Sequence, residues 1–170
     1  MLKTNNTLET LRLTNNNITD VQSIGDGLKT NNTLTGLYLN NNNITDVQSI
    51  GEGLKSNNRL IVLGLHNNNI TDDSGIQSII DGLKTNNTLK ELWVGFNQLS
   101  DNMKSQLKAI QQYKRDGSNG YQQVKGMQIH VYYANQKAEQ DAYMKVMKKK
   151  EMERKFIKNY RRRLFRSDTC

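Results

Sequence analysis

Five residues of this chain combine types and spacing suited to recognising another molecule: Arg12, Tyr38, His66, Glu91 and Trp93. Arginine, tyrosine and tryptophan bury large areas at modest entropic cost and dominate protein interfaces. Acid–base or nucleophilic chemistry has far less to draw on. His66 has no acid or nucleophile in phase with it, and is expected to be an ordinary surface residue. His130 is the second of two histidines and Cys170 the single cysteine, too few for a protein-only zinc site or an intramolecular disulfide. Paired carboxylates, a nucleophile beside a base, and a Gly-x-x-x-x-Gly-Lys-Ser/Thr phosphate loop are all missing from the sequence. The expectation is a non-catalytic protein with no cofactor and no small-molecule substrate.

Those five residues are positioned by a repeat. The phrase Leu-x-x-Leu-x-Leu-x-x-Asn-x-Ile begins at Leu8, Leu34 and Leu60, and recurs as Leu-x-x-Leu-x-Val-x-x-Asn-x-Leu at Leu89, with offsets of 26, 26 and 29 residues. Leu11 and Leu13, Leu37 and Leu39, Leu63 and Leu65, and Leu92 and Val94 alternate with polar or variable residues. That alternation is a short strand with one buried face. Residues between the leucines fall on the opposite face in columns: Thr10, Gly36, Val62 and Glu91; Arg12, Tyr38, Gly64 and Trp93; Thr14, Asn40, His66 and Gly95. The framework is nearly copied while the columns diverge, which makes this face the candidate binding surface. The bland alternative is that the columns vary because nothing constrains them, with Trp93 packing on Tyr38 or Phe96.

Asn16, Asn42, Asn68 and Asn97 follow the strands at a fixed offset, where an amide can pair with backbone groups freed by an inward turn and form a ladder between coils. Thr19-Asp20 reads as a helix start, with Val21, Ile24 and Leu28 making the apolar stripe. Val47, Ile50 and Leu54 repeat it, and Ile76, Ile79, Ile80 and Leu83 extend it after three inserted residues that add about one turn. Gly25, Gly27, Gly51 and Gly53 are expected to leave the first two helices short and partly irregular. Asp101, Met103, Leu107, Ile110 and Tyr113 form a last amphipathic helix, Asp116-Gly117-Ser118-Asn119-Gly120 breaks it, and Met127 to Tyr133 alternates like a closing strand. Sequons at Asn5, Asn17, Asn31, Asn43, Asn69 and Asn86 belong to the repeated phrases and read as repeat chemistry.

The phrase Leu-Lys-Thr-Asn-Asn-Thr-Leu at Leu28 and Leu83, nearly matched at Leu54, together with the strand phrase, resembles leucine-rich-repeat proteins of the ribonuclease-inhibitor-like subfamily, as in the sensor regions of NOD-like receptors. The resemblance covers residues 1–115 and implies an α/β fold: a right-handed solenoid in a horseshoe arc, with parallel strands on the concave face and helices on the convex face. It implies a protein partner seated on the concave face. The first two units are shorter than the subfamily's usual repeat, and only about four are present. Ran GTPase-activating proteins, in the same family, need a longer array and typically an acidic tail, and NOD-like receptors need a nucleotide-binding domain.

The three expected regions are repeats over 1–115, a closing turn and strand over 116–136, and a basic helical tail over 137–170. Leu2 to Leu8 aligns with Leu28 to Leu34, so Met1 falls inside a repeat. A truncated gene model, a fragment, or a chain that pairs through the open strand edge would each account for it. Residues 145–166 carry eleven Lys or Arg and two acids; subtracting their +9 from the chain's +8 leaves −1 on the other 148 residues. Met152, Phe156, Tyr160 and Leu164 recur every four residues there, so the tail reads as a helix or two shorter pieces. Lys148, Lys149, Lys150, Arg161, Arg162 and Arg163 are its candidate polyanion contacts, giving an alternative function on nucleic acid or an anionic membrane. With no secretory signal and no apolar run of membrane-spanning length, the expected compartment is intracellular, cytoplasmic or nuclear.

Overall fold

The computed structural model describes residues 2–71, 73–117, 124 and 127–130. All lie in the first of the two units into which the chain divides, residues 1–134 and 135–170. The expected basic helix over 137–170, and the part of the closing strand after residue 130, lie outside the described residues.

Each repeat supplies one three-residue strand: β1 (Thr10–Arg12), β2 (Gly36–Tyr38), β3 (Val62–Gly64) and β4 (Glu91–Trp93). A fifth, β5 (Gln128–His130), follows the last helix, and the sheet order β1-β2-β3-β4-β5 is parallel throughout. Between successive strands come α1 (Gln22–Leu28), α2 (Gln48–Ser56), α3 (Asp73–Thr85) and α4 (Asp101–Asp116). A parallel pair needs a crossover, and here each crossover is one helix. Among the described residues the architecture is therefore α/β, five parallel strands with four helices, and its one-strand-per-coil stacking fits a leucine-rich-repeat solenoid.

The core runs between sheet and helices. Leu37, Leu39, Ile44, Ile50 and Leu54 of the second coil and Leu63, Leu65, Ile70, Ile76 and Ile79 of the third are wholly buried. Each such side chain contributes about 1.5–3 kcal/mol by leaving water. The helices start later than Thr19-Asp20 suggests. Asp20 Oδ1 accepts from the Gln22 N–H at 2.7 Å and Asp46 Oδ1 from that of Gln48 at 2.8 Å, so these aspartates close a turn just ahead of Val21 and Val47. α3 has 13 residues against 9 in α2, about one extra turn.

Glycines play a different part from the one their helix propensity suggests. α1 and α2 are short, 7 and 9 residues, but the glycines are contact points between coils. A Cβ on Gly25 would lie 2.3 Å from the Ser49 carbonyl carbon, and one on Gly51 2.3 Å from that of Ser78. A Cβ on Gly53 would in turn lie 2.8 Å from the Gly25 carbonyl oxygen, and one on Gly82 2.7 Å from that of Gly51. Only a residue without Cβ lets neighbouring helices approach this closely.

Two buried amide ladders tie the coils together. Below the strands, Asn42 Nδ2 donates to Leu13 O (2.9 Å) and Leu39 O (3.0 Å), Asn68 to Leu39 O (3.1 Å) and Leu65 O (3.0 Å), and Asn97 to Leu65 O (3.0 Å) and Val94 O (2.9 Å). The second ladder, after the helices, was not anticipated. Asn31 Nδ2 donates to Leu2 O and Asn5 O (both 2.8 Å), Asn57 to Leu28 O (2.8 Å) and Asn31 O (3.0 Å), and Asn86 to Leu54 O (3.0 Å) and Asn57 O (2.7 Å). This ladder ends on a lysine. Lys114, wholly buried in α4, donates from Nζ to Asn86 O at 2.9 Å and Asn87 Oδ1 at 2.8 Å, where the next asparagine would stand. The buried face of α4 is thus Met103, Leu107, Ile110 and Lys114, with Tyr113 only half-buried, a correction to the apolar stripe read from sequence. Ser100 caps α4, its Oγ accepting from the Met103 N–H, and Gly117 ends it with φ 73°.

Candidate functional site

The strand register sets the side chains of the outer sheet face in rows. Thr10 pairs with Gly36, Gly36 with Val62, Val62 with Glu91 and Glu91 with Gln128. The middle row is Arg12, Tyr38, Gly64, Trp93 and His130. Because successive side chains of a strand point to opposite sides, these rows face away from the leucines that pack against the helices.

Two stacked pairs flank a glycine in the middle row. The Arg12 guanidinium lies 4.2 Å from the Tyr38 ring centroid, within cation–π range. Trp93 and His130 stack with centroids 3.5 Å apart and planes 6° from parallel. Trp93 thus stacks on His130, a partner the sequence reading did not name. Trp93 Nε1 also donates to Glu91 Oε2 at 3.3 Å, joining the first row to the second. Between the pairs, the Asn40 amide lies across Gly64: a Cβ there would come within 2.5 Å of Asn40 Oδ1. That oxygen is buried and has no hydrogen-bond partner among the described residues.

Exposure separates the five candidates. Arg12 is exposed and Glu91 half-buried, whereas Tyr38, Trp93 and His66 are 5%, 4% and 5% exposed. His66 thus corrects the expectation of an ordinary surface residue. Its burial pulls the imidazole pKa down from 6.5 to about 4, because charging the ring in a poorly solvated place is unfavourable. His66 is neutral at pH 7. The polyanion candidates Lys148, Lys149, Lys150, Arg161, Arg162 and Arg163 lie outside the described residues.

The helix side offers a contrast. Lys29 with Asp26, Lys55 with Glu52, and Lys84 with Asp81 form the same exposed pair in three successive coils, at 3.0, 2.7 and 2.6 Å. The lysine hydrogen bonds hold those carboxyls below their ordinary range. Such pairs are solvent-screened and add little stability. The helix side repeats one motif; the sheet side changes in every coil. Sequence reasoning missed His130 as a member of the site, and placed Asn40 in the third column without naming it among the five candidates. Among the described residues no cluster of His, Cys, Asp and Glu could hold a metal ion. No described helix is long and apolar enough to cross a membrane.

No protein-family model matches the chain, and no curated protein is similar to it. Among solved structures, it is similar to an internalin from Listeria monocytogenes, at 21% identity and a TM-score of 0.44, over 75% of this chain and 31% of that one. The chain thus spans about a third of that protein's length.

Proposed function

We propose that this protein is a non-catalytic interaction scaffold of the ribonuclease-inhibitor-like kind, acting inside the cell and binding a protein partner on the outer sheet face. One observation carries the reading: coils that copy each other in framework and helix-side charge pairs carry different residues on that face, where Arg12–Tyr38 and Trp93–His130 are held stacked. Prestacked side chains lose little rotamer freedom when a partner arrives. Arg12 and Glu91 are the charged members a partner meets first, and Tyr38 and Trp93 set the platform behind them.

The test is affinity capture by the full chain against three variants, each checked for native circular dichroism. Arg12→Glu with Glu91→Lys reverses the sheet-face charges, Lys29→Glu with Lys55→Glu alters the helix side, and the third variant lacks residues 137–170. Loss of a captured protein with the first variant alone supports the reading. Equal recovery by the first variant and the full chain overturns it. Loss only on deleting 137–170, with steep weakening at moderate salt, assigns the binding to the tail instead, whose residues 145–166 carry +9.

A further inference from the structure

Four coils leave their strands through a residue in the left-handed region, and one of the four breaks the pattern of what stands there. Asn15, Asn41 and Asn67 hold that position in the first three coils, with φ of 59°, 57° and 53°. After glycine, asparagine is the residue best suited to it, because a short polar side chain tolerates the left-handed backbone. The three amides also bond to one another along the rim of the outer sheet face. Asn41 Nδ2 donates to Asn15 Oδ1 at 2.7 Å, and Asn67 Nδ2 to Asn41 Oδ1 at 2.9 Å.

In the fourth coil the residue is Phe96, with φ 55°. A bulky side chain in this region is strained against its own backbone. It also stops the amide row: Asn67 is exposed, and its Oδ1 accepts no hydrogen bond among the described residues. The backbone at the turn keeps the pattern of the other coils, the Asn67 N–H donating to Gly95 O at 3.0 Å as the Asn41 N–H does to His66 O at 3.1 Å. The turn therefore does not require the ring. Nor does the core enclose it, since Phe96 is half-buried whereas Leu92, Val94 and Asn97 of the same coil are buried.

We infer that Phe96 is a partner-contact residue on the rim of the outer sheet face, receiving an apolar side chain of an extended peptide segment whose backbone N–H pairs with Asn67 Oδ1. This rests on the sheet-face reading above and names the chemistry of the partner. Two features select that occupant. The ring offers apolar area where three coils offer amides, so what it gains from a partner is the burial of an apolar group. Beside it in the row stands an uncharged acceptor, which a neutral peptide N–H satisfies. Neighbouring coils of a parallel sheet stand about 4.8 Å apart and an extended chain rises about 3.3 Å per residue, so one or two peptide residues span both contacts. A residue that strains the fold, where the repeat itself shows the relaxed choice, is accounted for by a use outside the fold.

The experiment pans a displayed library of linear peptides on the full chain and measures the recovered peptides against three variants. Phe96→Asn installs the repeat's own residue, Phe96→Tyr keeps the ring, and Arg12→Glu with Glu91→Lys reverses the sheet-face charges. The recovered peptides should share an apolar residue, and Phe96→Asn should weaken them roughly tenfold or more, while Phe96→Tyr stays within about twofold of the parent. The melting temperature of Phe96→Asn should be unchanged or raised by up to about 4 °C, which a ring held for packing would not allow. A lowered melting temperature in Phe96→Asn makes the ring a packing residue and overturns the inference. So does binding that Phe96→Asn leaves within about twofold; if the charge-reversed variant loses that binding, the sheet-face reading stands and the part given to Phe96 falls alone. Recovery of no peptide above the library background overturns the extended segment as occupant, and leaves the sheet face to the capture experiment above.

Discussion

Replacing Gly51 by alanine separates two readings of the same residue by the sign of the effect. As an ordinary helix glycine, Gly51 should gain about 0.8–1 kcal/mol on becoming alanine, because the unfolded chain loses freedom and the helix gains a better former. As a seat for the next helix it should lose. The new Cβ would lie 2.3 Å from the Ser78 carbonyl carbon, 2.5 Å from the Ile79 nitrogen and 2.5 Å from Ser78 Oγ. Two of these are backbone atoms inside α3, so no side-chain rotation relieves them. Ordinary contact begins near 3.4 Å, so α2 and α3 must part by about 1 Å, enough to forfeit a quarter to a half of the dispersion well at each pair of atoms they share.

Overpacking of this kind costs about 1–3 kcal/mol and, being set against the propensity gain, should leave Gly51→Ala net destabilising by up to about 2 kcal/mol. In urea, at a slope of about 2 kcal/mol per molar, the middle of the range for small proteins, the midpoint should fall by up to about 1 M. Ser23→Ala, at an exposed site in α1, should change the midpoint little or raise it. Adding Ser78→Ala to Gly51→Ala should restore little, because the Ser78 carbonyl carbon remains where it was. A midpoint that rises in Gly51→Ala, or that Ser78→Ala fully restores, would refute the backbone contact between coils.

Three further outcomes follow from the geometry. His66, with its folded pKa near 4 and its unfolded value near 6.5, binds its proton more readily when unfolded, so its contribution to stability is full above about pH 6.5 and is lost as pH falls toward 4; urea midpoints should show about 2 kcal/mol lost between pH 7 and pH 5, and a His66→Asn variant should lack that part of the pH dependence. Asn57→Ala strands three buried backbone groups, the Leu28 and Asn31 carbonyls and the Leu60 N–H, and the part-buried N–H of Arg59, and should cost about 3 kcal/mol or more in thermal melts, whereas the same change at exposed Asn17 should stay within about 0.5 kcal/mol. Lys114→Met keeps the apolar stem but removes both donors at the end of the ladder, so it should lower stability by about 1–3 kcal/mol; a variant more stable than the parent would mean that desolvating the ammonium outweighs its hydrogen bonds.

The strands, their register and the first ladder were legible because their signals are local and repeated. Leu37 and Leu39 alternate within one short window, and Asn42 stands at a fixed distance from them. The second ladder hid in a phrase with two adjacent asparagines, Asn31-Asn32, where spacing alone does not say which one turns inward. Its bonds reach Leu2 and Asn5, 29 and 26 residues away. Lys114 was hidden by the stronger hydrophobic signal of Tyr113 beside it, and the choice between them is made by a carbonyl 28 residues earlier. The short helices expected from Gly25 and Gly51 are present, but their contacts between coils were not legible for the same reason: propensity scores a residue against its own helix, whereas those contacts are set by the backbone of the next one.

The ladders also bear on why the sheet face is free to differ from coil to coil. A parallel stack this narrow must satisfy the backbone groups at both ends of every short strand, since burying an unpaired one costs about 1–3 kcal/mol. Asn42, Asn68 and Asn97 do this after the strands, and Asn31, Asn57 and Asn86 before them, bonding to backbone groups and using no side chain of the outer rows. Arg12, Tyr38, Gly64 and Trp93 can therefore change without unpairing a strand. The limit on that freedom is steric and falls at Gly64, where the Asn40 amide already occupies the space a side chain would need. Diversity at Arg12, Tyr38 and Trp93 costs the fold little, whereas a larger residue at position 64 must displace Asn40 and open the row between the two stacked pairs.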